Sequence, residues 1–290
     1  MYNLEGAPAN SMIPFIHIGP LSIPTYGLMV ALGLICAAYI LQADFDRRGL
    51  KADAFTMITI AGLAGIFGSK LYSALESPTE FFAHPLAQLF NRYGFTWFGG
   101  FLGGFLAMII LGKRAKIPLL EFLDACTPAA SVGYAIGRMG CLLSGDGDYG
   151  IPTNLPWGMS FPNGIVPTTG IWDPLRGSGI CNKYGLPENC TVHPTPIYEF
   201  LVWCAIGALL WHLGGKALRR PQGKGLIFCA YLILTGIARY LVEIIRINPR
   251  VFLRMTNAQI VSILSVLAGI GLFLWIKRRD TAAEKKVSSH

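Results

Sequence analysis

Seven windows of about 20 mostly apolar residues, each long enough to cross roughly 30 Å of hydrocarbon as a helix, recur along the chain. They lie at 24–43, 55–76, 95–112, 117–143, 196–214, 225–246 and 257–276. A membrane barrel would show short alternating segments instead, so these runs predict helices, whose backbone groups are satisfied within each segment. The first, PTYGLMVALGLICAAYILQA, has no basic region before it and no small-residue cleavage site after it, so it reads as a retained span. Charged residues make up only 14% of the chain, against about 25% in a usual soluble domain, which fits lipid as the solvent. The expected fold class is therefore an all-α polytopic membrane protein with seven transmembrane helices.

A net charge of +8 would suggest nucleic acid in a soluble protein, but here the basic residues sit in particular connections. Arg47, Arg48 and Lys51 follow the first run, and Lys113, Arg114 and Lys116 the third. Lys216, Arg219, Arg220 and Lys224 follow the fifth, and Lys277, Arg278 and Arg279 the seventh. The positive-inside rule makes all four segments cytoplasmic, the N-terminus external and the C-terminus internal, and it leaves no case for a nucleic-acid partner. The chain then divides into an N-terminal segment with four spans (1–143), a small irregular external head (144–195), three further spans (196–276) and a charged cytoplasmic tail (277–290) expected to be disordered. Cys181 and Cys190 fall in the head, where a disulfide can form; a bridge and two free thiols are both open readings.

Ionisable residues inside spans are costly, by roughly 2.5–3.5 kcal/mol for a central arginine on insertion scales, so each is a candidate for function. Counted from the cytoplasmic ends, Lys70, Arg138, Arg239, Glu243 and Arg246 are about 14–21 residues deep, in the outer part of the membrane. From the other direction, Tyr26 opens the first span, Thr96, Trp97 and Phe98 the third, and Tyr198 and Glu199 the fifth. Arg239, Glu243 and Arg246 are spaced i, i+4, i+7 and share one helical face. Arginines gathered in one layer suggest an anion, and in a membrane a phospholipid phosphate, which guanidinium grips through a bidentate fork. The bland alternatives are snorkelling of Arg138 or Arg246 and a structural ion pair between Arg239 and Glu243. GGFLGG holds two overlapping GxxxG pairs through Gly99 and Gly100, suited to close helix contact or to a backbone approach to a headgroup.

These stretches, GRMGCLLSGDGDYG (137–150), the YG of PTYGLMVALG, FGGFLGG, HPTPIYE (193–199) and GIARYLVEIIR (236–246), in that order, resemble the phosphatidylglycerol:prolipoprotein diacylglyceryl transferase family. The resemblance covers roughly 17–276 and implies a bacterial inner-membrane enzyme with its site facing the periplasm. Its implied activity moves the diacylglyceryl group of phosphatidylglycerol onto the lipobox cysteine of a prolipoprotein, forming a thioether and releasing glycerol phosphate. It carries essential arginines over to Arg138 and Arg239, and recurring positions to Tyr26, Glu243, Arg246, His193, Tyr198 and Glu199. Two departures stand out. Phe98 occupies the place of a histidine implicated in catalysis, and Cys141, Ser144 and Asp146 replace two asparagines and a glutamate.

The chemistry requires stabilisation of charge on the departing phosphate and deprotonation of a thiol. The expected catalytic set is Arg138, Arg239, Glu243 and Asp146. The expected substrate-binding set is Tyr26, Gly99, Gly100, Arg246, Tyr198, Glu199, His193 and Lys70. Glu243, Asp146 and then His193 are the candidate bases; Asp146 and Asp148 also suit a turn. No cofactor and no metal is expected, and the expected partners are phosphatidylglycerol, a lipobox peptide and membrane lipids. A divergent paralogue with another acceptor, or a lipid-binding role alone, is the alternative, followed by a transporter of an anionic solute.

Overall fold

The computed structural model describes residues 12–76, 78, 96–188, 190–217 and 224–288. Arg219 and Arg220, and the side chains of Trp97 and of 283–290, lie outside the described residues. The chain opens on a feature absent from the all-helical expectation. Strands β1 (Phe15–Ile18) and β2 (Leu21–Pro24) pair antiparallel, Ile16 opposite Ile23. The β-branched residues favour the extended backbone, and Gly19 takes the left-handed conformation that the tight turn needs (φ +59°). Thr25 ties the hairpin to the first helix, its backbone N–H and its hydroxyl both donating to Pro14 O at 3.0 Å.

Among the described residues seven long helices follow: α1 (Thr25–Arg48), α2 (Ala54–Glu76), α3 (Trp97–Arg114), α4 (Leu119–Ser144), then, after the short α5 (Ile180–Lys183), α6 (Thr195–Ala217), α7 (Leu226–Ile244) and α8 (Asn257–Ser288). Five of them, α1, α2, α6, α7 and α8, are long and apolar enough to cross a membrane. The other two, α3 and α4, are not among these five; α3 ends in Lys113 and Arg114, and α4 includes Glu121, Asp124 and Arg138. The tail expected to be disordered instead continues α8 to Ser288. Its Ala- and Lys-rich sequence has high helix propensity, and Lys277 and Arg279 lie over the rings of Phe273 and Trp275.

The chain forms two compact units. Leu34–Cys126 is one of them. In it α2 and α3 run side by side because glycines remove the side chains between them. A Cβ added at Gly65 would lie 3.2 Å from Gly100 O, and one at Gly68, Gly99 or Gly103 would overlap the facing backbone. Ser69 and Thr96 exchange side-chain hydrogen bonds with each other's carbonyl oxygens, Thr96 Oγ1 donating to Ser69 O at 3.1 Å. At the far end of the same unit, buried Asp44 pairs with Arg47 and Arg48, and Phe45 meets Phe122 with ring centroids 6.2 Å apart.

The second unit holds Met1–Gly33 and Thr127–His290. Here the start of α1 lies against α4: Gly33 faces the carbonyl of Gly133, and Gly140 faces Tyr26 and Met29. Gly137, by contrast, meets nothing within 4 Å. Helices α6 and α7 share a core of Ile206, Leu210 and Ile227. The head between α4 and α6 is irregular, with its own core of Leu142, Tyr149, Phe161, Ile180, Cys181 and Val192. Cys181 and Cys190 are joined in a disulfide at the edge of that core, which decides between the two readings of these cysteines.

Candidate active site

Four segments of the second unit bring charged side chains together. On α4, Tyr134, Arg138 and Cys141 are spaced i, i+4, i+7 and therefore lie on one face. The same spacing on α7 and just beyond it presents Arg239, Glu243 and Arg246. Glu199 comes from near the start of α6, and the loop after α4 supplies Asp146 and Asp148.

Glu199, fully buried, is the hub. Its Oε1 accepts from Tyr134 Oη at 3.1 Å and pairs with Arg239 Nη1; its Oε2 lies 2.5 Å from Arg138 Nη2 and 3.7 Å from Arg246 Nη1. Asp148 is the second bridge, with one carboxylate oxygen on Arg138 and the other on Arg246. Glu243 is the third: it lies 3.0 Å from Arg239 and 3.7 Å from Arg246, and accepts from Asn248 Nδ2 at 2.7 Å. Three guanidinium groups are thus matched by three carboxylates. Breaking a buried pair from one side typically costs about 3–5 kcal/mol, so the cluster is strongly coupled.

Backbone pairing holds these segments in register. Gly150 bridges Arg246, and Ile151 N–H donates to Ile245 O at 2.8 Å, which sets the loop after α4 beside the end of α7. Thr195 Oγ1 donates to Asp148 O at 2.7 Å and fixes the same loop to the start of α6. Tyr149 anchors it in the head core, its ring stacked on Phe161 at 4.9 Å.

The carboxylates leave part of the arginine capacity unused. Among the described residues, Arg138 Nε is buried without a hydrogen-bond acceptor, and Arg246 Nε and Nη1 reach only the longer ion-pair contacts. Buried N–H groups of this kind call for a partner. Arg239 is the most open of the three, with 22% of its side chain exposed against 9% for Arg138 and 2% for Arg246. Arg239 is thus the arginine of the cluster that solvent reaches most readily.

Asp146 stands apart from the ion pairs. Its Oδ1 accepts from Asp148 N–H at 3.2 Å, closing the turn expected of it. Burial pushes its carboxyl above the usual range, although the neighbouring Cys141 thiol, Arg138 and Arg246 pull the other way. Tyr26 lies beside Cys141, Asp146 and Arg138, and its ring is partly exposed. At the rim, Tyr198 Oη accepts from Trp157 Nε1 at 2.8 Å and sits 3.2 Å from His193 Nδ1. Partial burial lowers the His193 pKa and favours its neutral form.

A family model described as prolipoprotein diacylglyceryl transferase matches residues 14–275. A phosphatidylglycerol–prolipoprotein diacylglyceryl transferase of Clostridium tetani is 30% identical over 258 residues, spanning 87% of this chain and 93% of the relative. One of Geobacter sulfurreducens is 30% identical over 284 residues (91% and 95%), and one of Bifidobacterium longum 32% over 258 (85% and 77%). The chain belongs to the prolipoprotein diacylglyceryl transferase family. It is thus a transferase of a bacterial lipoprotein-processing family and a multi-pass membrane protein.

Of the residues that the sequence nominated, this family member gathers Arg138, Arg239, Glu243, Arg246 and Glu199 in one cluster, with Asp146 and Tyr26 beside it. Tyr198 and His193 form the rim pair, joined to the cluster's loop by Gly150 N–H donating to His193 O at 2.9 Å. Lys70, Gly99 and Gly100 belong to the other unit, where Lys70 is buried on α2 and the glycines face α2 from α3. Phe98, also there, is largely exposed and lies near Tyr72. Sequence reasoning missed Asp148 as an arginine partner, and Tyr134 and Cys141 as neighbours of the cluster. The i, i+4, i+7 spacing around Arg138 was the available signal for the last two.

Proposed function

We propose that the chain transfers the diacylglyceryl group of phosphatidylglycerol to the lipobox cysteine thiol of a prolipoprotein. The observation that carries this reading is the buried arginine cluster around Glu199, with the Arg138 Nε donor unsatisfied. The lipid phosphate enters past Arg239 and takes that donor. The substrate thiolate attacks the adjacent glycerol carbon, the C–O bond breaks, and glycerol phosphate departs with the electron pair. Arginines fixed in a dry site stabilise the charge arriving on the phosphate, each such donor being worth about 2.7–4 kcal/mol in comparable anion holes.

Glu243 is held by two arginines and an asparagine, which weakens it as a base. Asp146, with its raised pKa and no ion pair among the described residues, is the better proton acceptor. Tyr26 and the Tyr198–His193 pair flank the approach of lipid and peptide.

The same reading makes all seven long helices transmembrane, with the N-terminus and head outside, the C-terminus inside, and the site on the periplasmic side of the inner membrane. Basic residues at 47–51, 113–116 and 277–279 support this orientation, as does a disulfide in the segment that carries Asp148.

The test is incubation of the purified protein with phosphatidylglycerol micelles and a lipobox peptide, read by mass spectrometry. The diacylglyceryl adduct and glycerol phosphate should appear together, and Arg239→Ala should lower kcat about 100- to 1000-fold. Arg239 is chosen over Arg138 because it is the more exposed of the two, and a thermal melt checks that the variant is folded. Adduct formation at the wild-type rate by Arg239→Ala would remove the clamp. Folded wild-type protein that binds lipid but forms no adduct would favour the divergent paralogue, the reading to which Phe98 lends support.

A further inference from the structure

We propose that Cys141 is a catalytic residue of this transferase, its thiol relaying the proton of the incoming substrate thiol to Asp146. The proposal rests on the transferase reading above and adds a group which that reading does not use. Cys141 is buried on the face of α4 that carries Arg138, one turn nearer the head. Arg138 Nη1 donates to its sulfur at 3.2 Å while also holding Asp148. The Cys141 sulfur and carboxylate oxygens of Asp146 and Asp148 all lie within 4.8 Å of one another. The charged and titratable groups facing the thiol are Arg138 on its own helix, Asp146 and Asp148 from the following loop, Tyr26 from α1 and Arg246 from the end of α7. Of the two aspartates, Asp148 is committed to two arginines, which leaves Asp146 to receive a proton.

The arrangement suits a hand-over between two groups of like acidity. A substrate thiol and the Cys141 thiol are the same functional group, with an ordinary pKa of about 8.5, so transfer between the sulfurs carries little intrinsic penalty. The substrate S–H bond breaks and a new S–H bond forms on Cys141 as the original Cys141 proton moves to the Asp146 carboxylate. The substrate sulfur keeps its electron pair, which forms the C–S bond as the C–O bond to phosphate breaks. The proton on Asp146 then leaves with the phosphate. Arg138 supports the transient negative charge on the Cys141 sulfur and holds it in line with the clamp.

The relay matters only while the substrate thiol is protonated, and that decides the experiment. The rate of adduct formation in phosphatidylglycerol micelles is measured at pH 6.5 and 9.5 for wild type, Cys141→Ala and Cys141→Ser. At pH 6.5 Cys141→Ala should be slower by about 100-fold, a typical loss for a proton-transfer group. Cys141→Ser, which keeps a hydrogen-bonding hydroxyl, should be slower by about tenfold. At pH 9.5 the peptide thiol ionises unaided, and the Cys141→Ala defect should shrink at least tenfold, with KM for the lipid unchanged. A defect of equal size at both pH values, or no defect, would overturn the relay and leave the transferase reading standing. Wild-type protein without adduct at either pH would overturn both. Should Cys141→Ala fail to fold, the near-isosteric Cys141→Ser decides: a loss that fades at high pH supports the relay, and a pH-independent loss or none refutes it.

Discussion

Asp148 and Asp146, two residues apart, have opposite fates. Asp148 reaches two arginines; Asp146 is buried beside a thiol and the same cationic groups without an ion pair of its own among the described residues. Because burial raises its pKa above the value of about 3.9 for an unfolded aspartate, the folded chain binds a proton more tightly than the unfolded chain between those two values. Stability is therefore lost as pH rises through that window, and at neutral pH the ionised carboxylate weighs against the fold. Asp146→Asn, which cannot ionise, should raise Tm at pH 7 and abolish most activity, and the gain in Tm should vanish near pH 3. A lower Tm at pH 7 in a thermal melt would show that the carboxylate supports the fold instead. Neither fate was visible in GDGDYG, since the choice between a turn residue and an ion-pair partner is made by Arg138 on α4 and by Arg246 just beyond α7, far along the chain.

The head shows how an irregular element positions a site without helical regularity. Tyr149 is buried in its core, and its neighbour Asp148 is thereby held against Arg138 and Arg246. The Cys181–Cys190 bridge closes a loop of sequence separation 9 around the same core, a constraint worth about 2.7 kcal/mol on a chain-entropy estimate. Replacing both cysteines with serine should lower Tm and reduce kcat more than it raises KM for phosphatidylglycerol, and reductant should have the same effect on wild type but none on the variant. Equal kcat in the two proteins would separate the bridge from the site. The long helical elements were legible because their apolar runs match the width of a bilayer, and the α7 face was legible because helical spacing fixes it. The hairpin at FIHIGPLSIP was not, since eight paired residues beside a long apolar run give a weaker pattern than the run itself. The Glu199 hub was legible only as a nominated residue, because its four partners are separated from it by long stretches of chain.

At the scale of the whole molecule, charge distribution along the sequence predicts placement in the membrane. A membrane-impermeant maleimide should label Arg250→Cys in intact cells and Lys277→Cys only after the membrane is broken. The reverse pattern would invert the orientation and put the arginine cluster on the cytoplasmic side. In the second unit Arg138, Glu199, Arg239 and Glu243 come together from α4, α6 and α7.

The matched count of three arginines and three carboxylates in that cluster bears on turnover. On the proposed reading, a phosphodiester brings one negative charge to this set of three arginines and three carboxylates, where the orphaned donors hold it. Cleavage turns it into a phosphate monoester that can carry two, in an enclosure that still contains Glu199, Glu243 and Asp148. The carboxylates that keep the arginines in place before the lipid arrives thus become the groups that repel the product after it has formed. A pure arginine pocket would keep its glycerol phosphate; a balanced one lets it go.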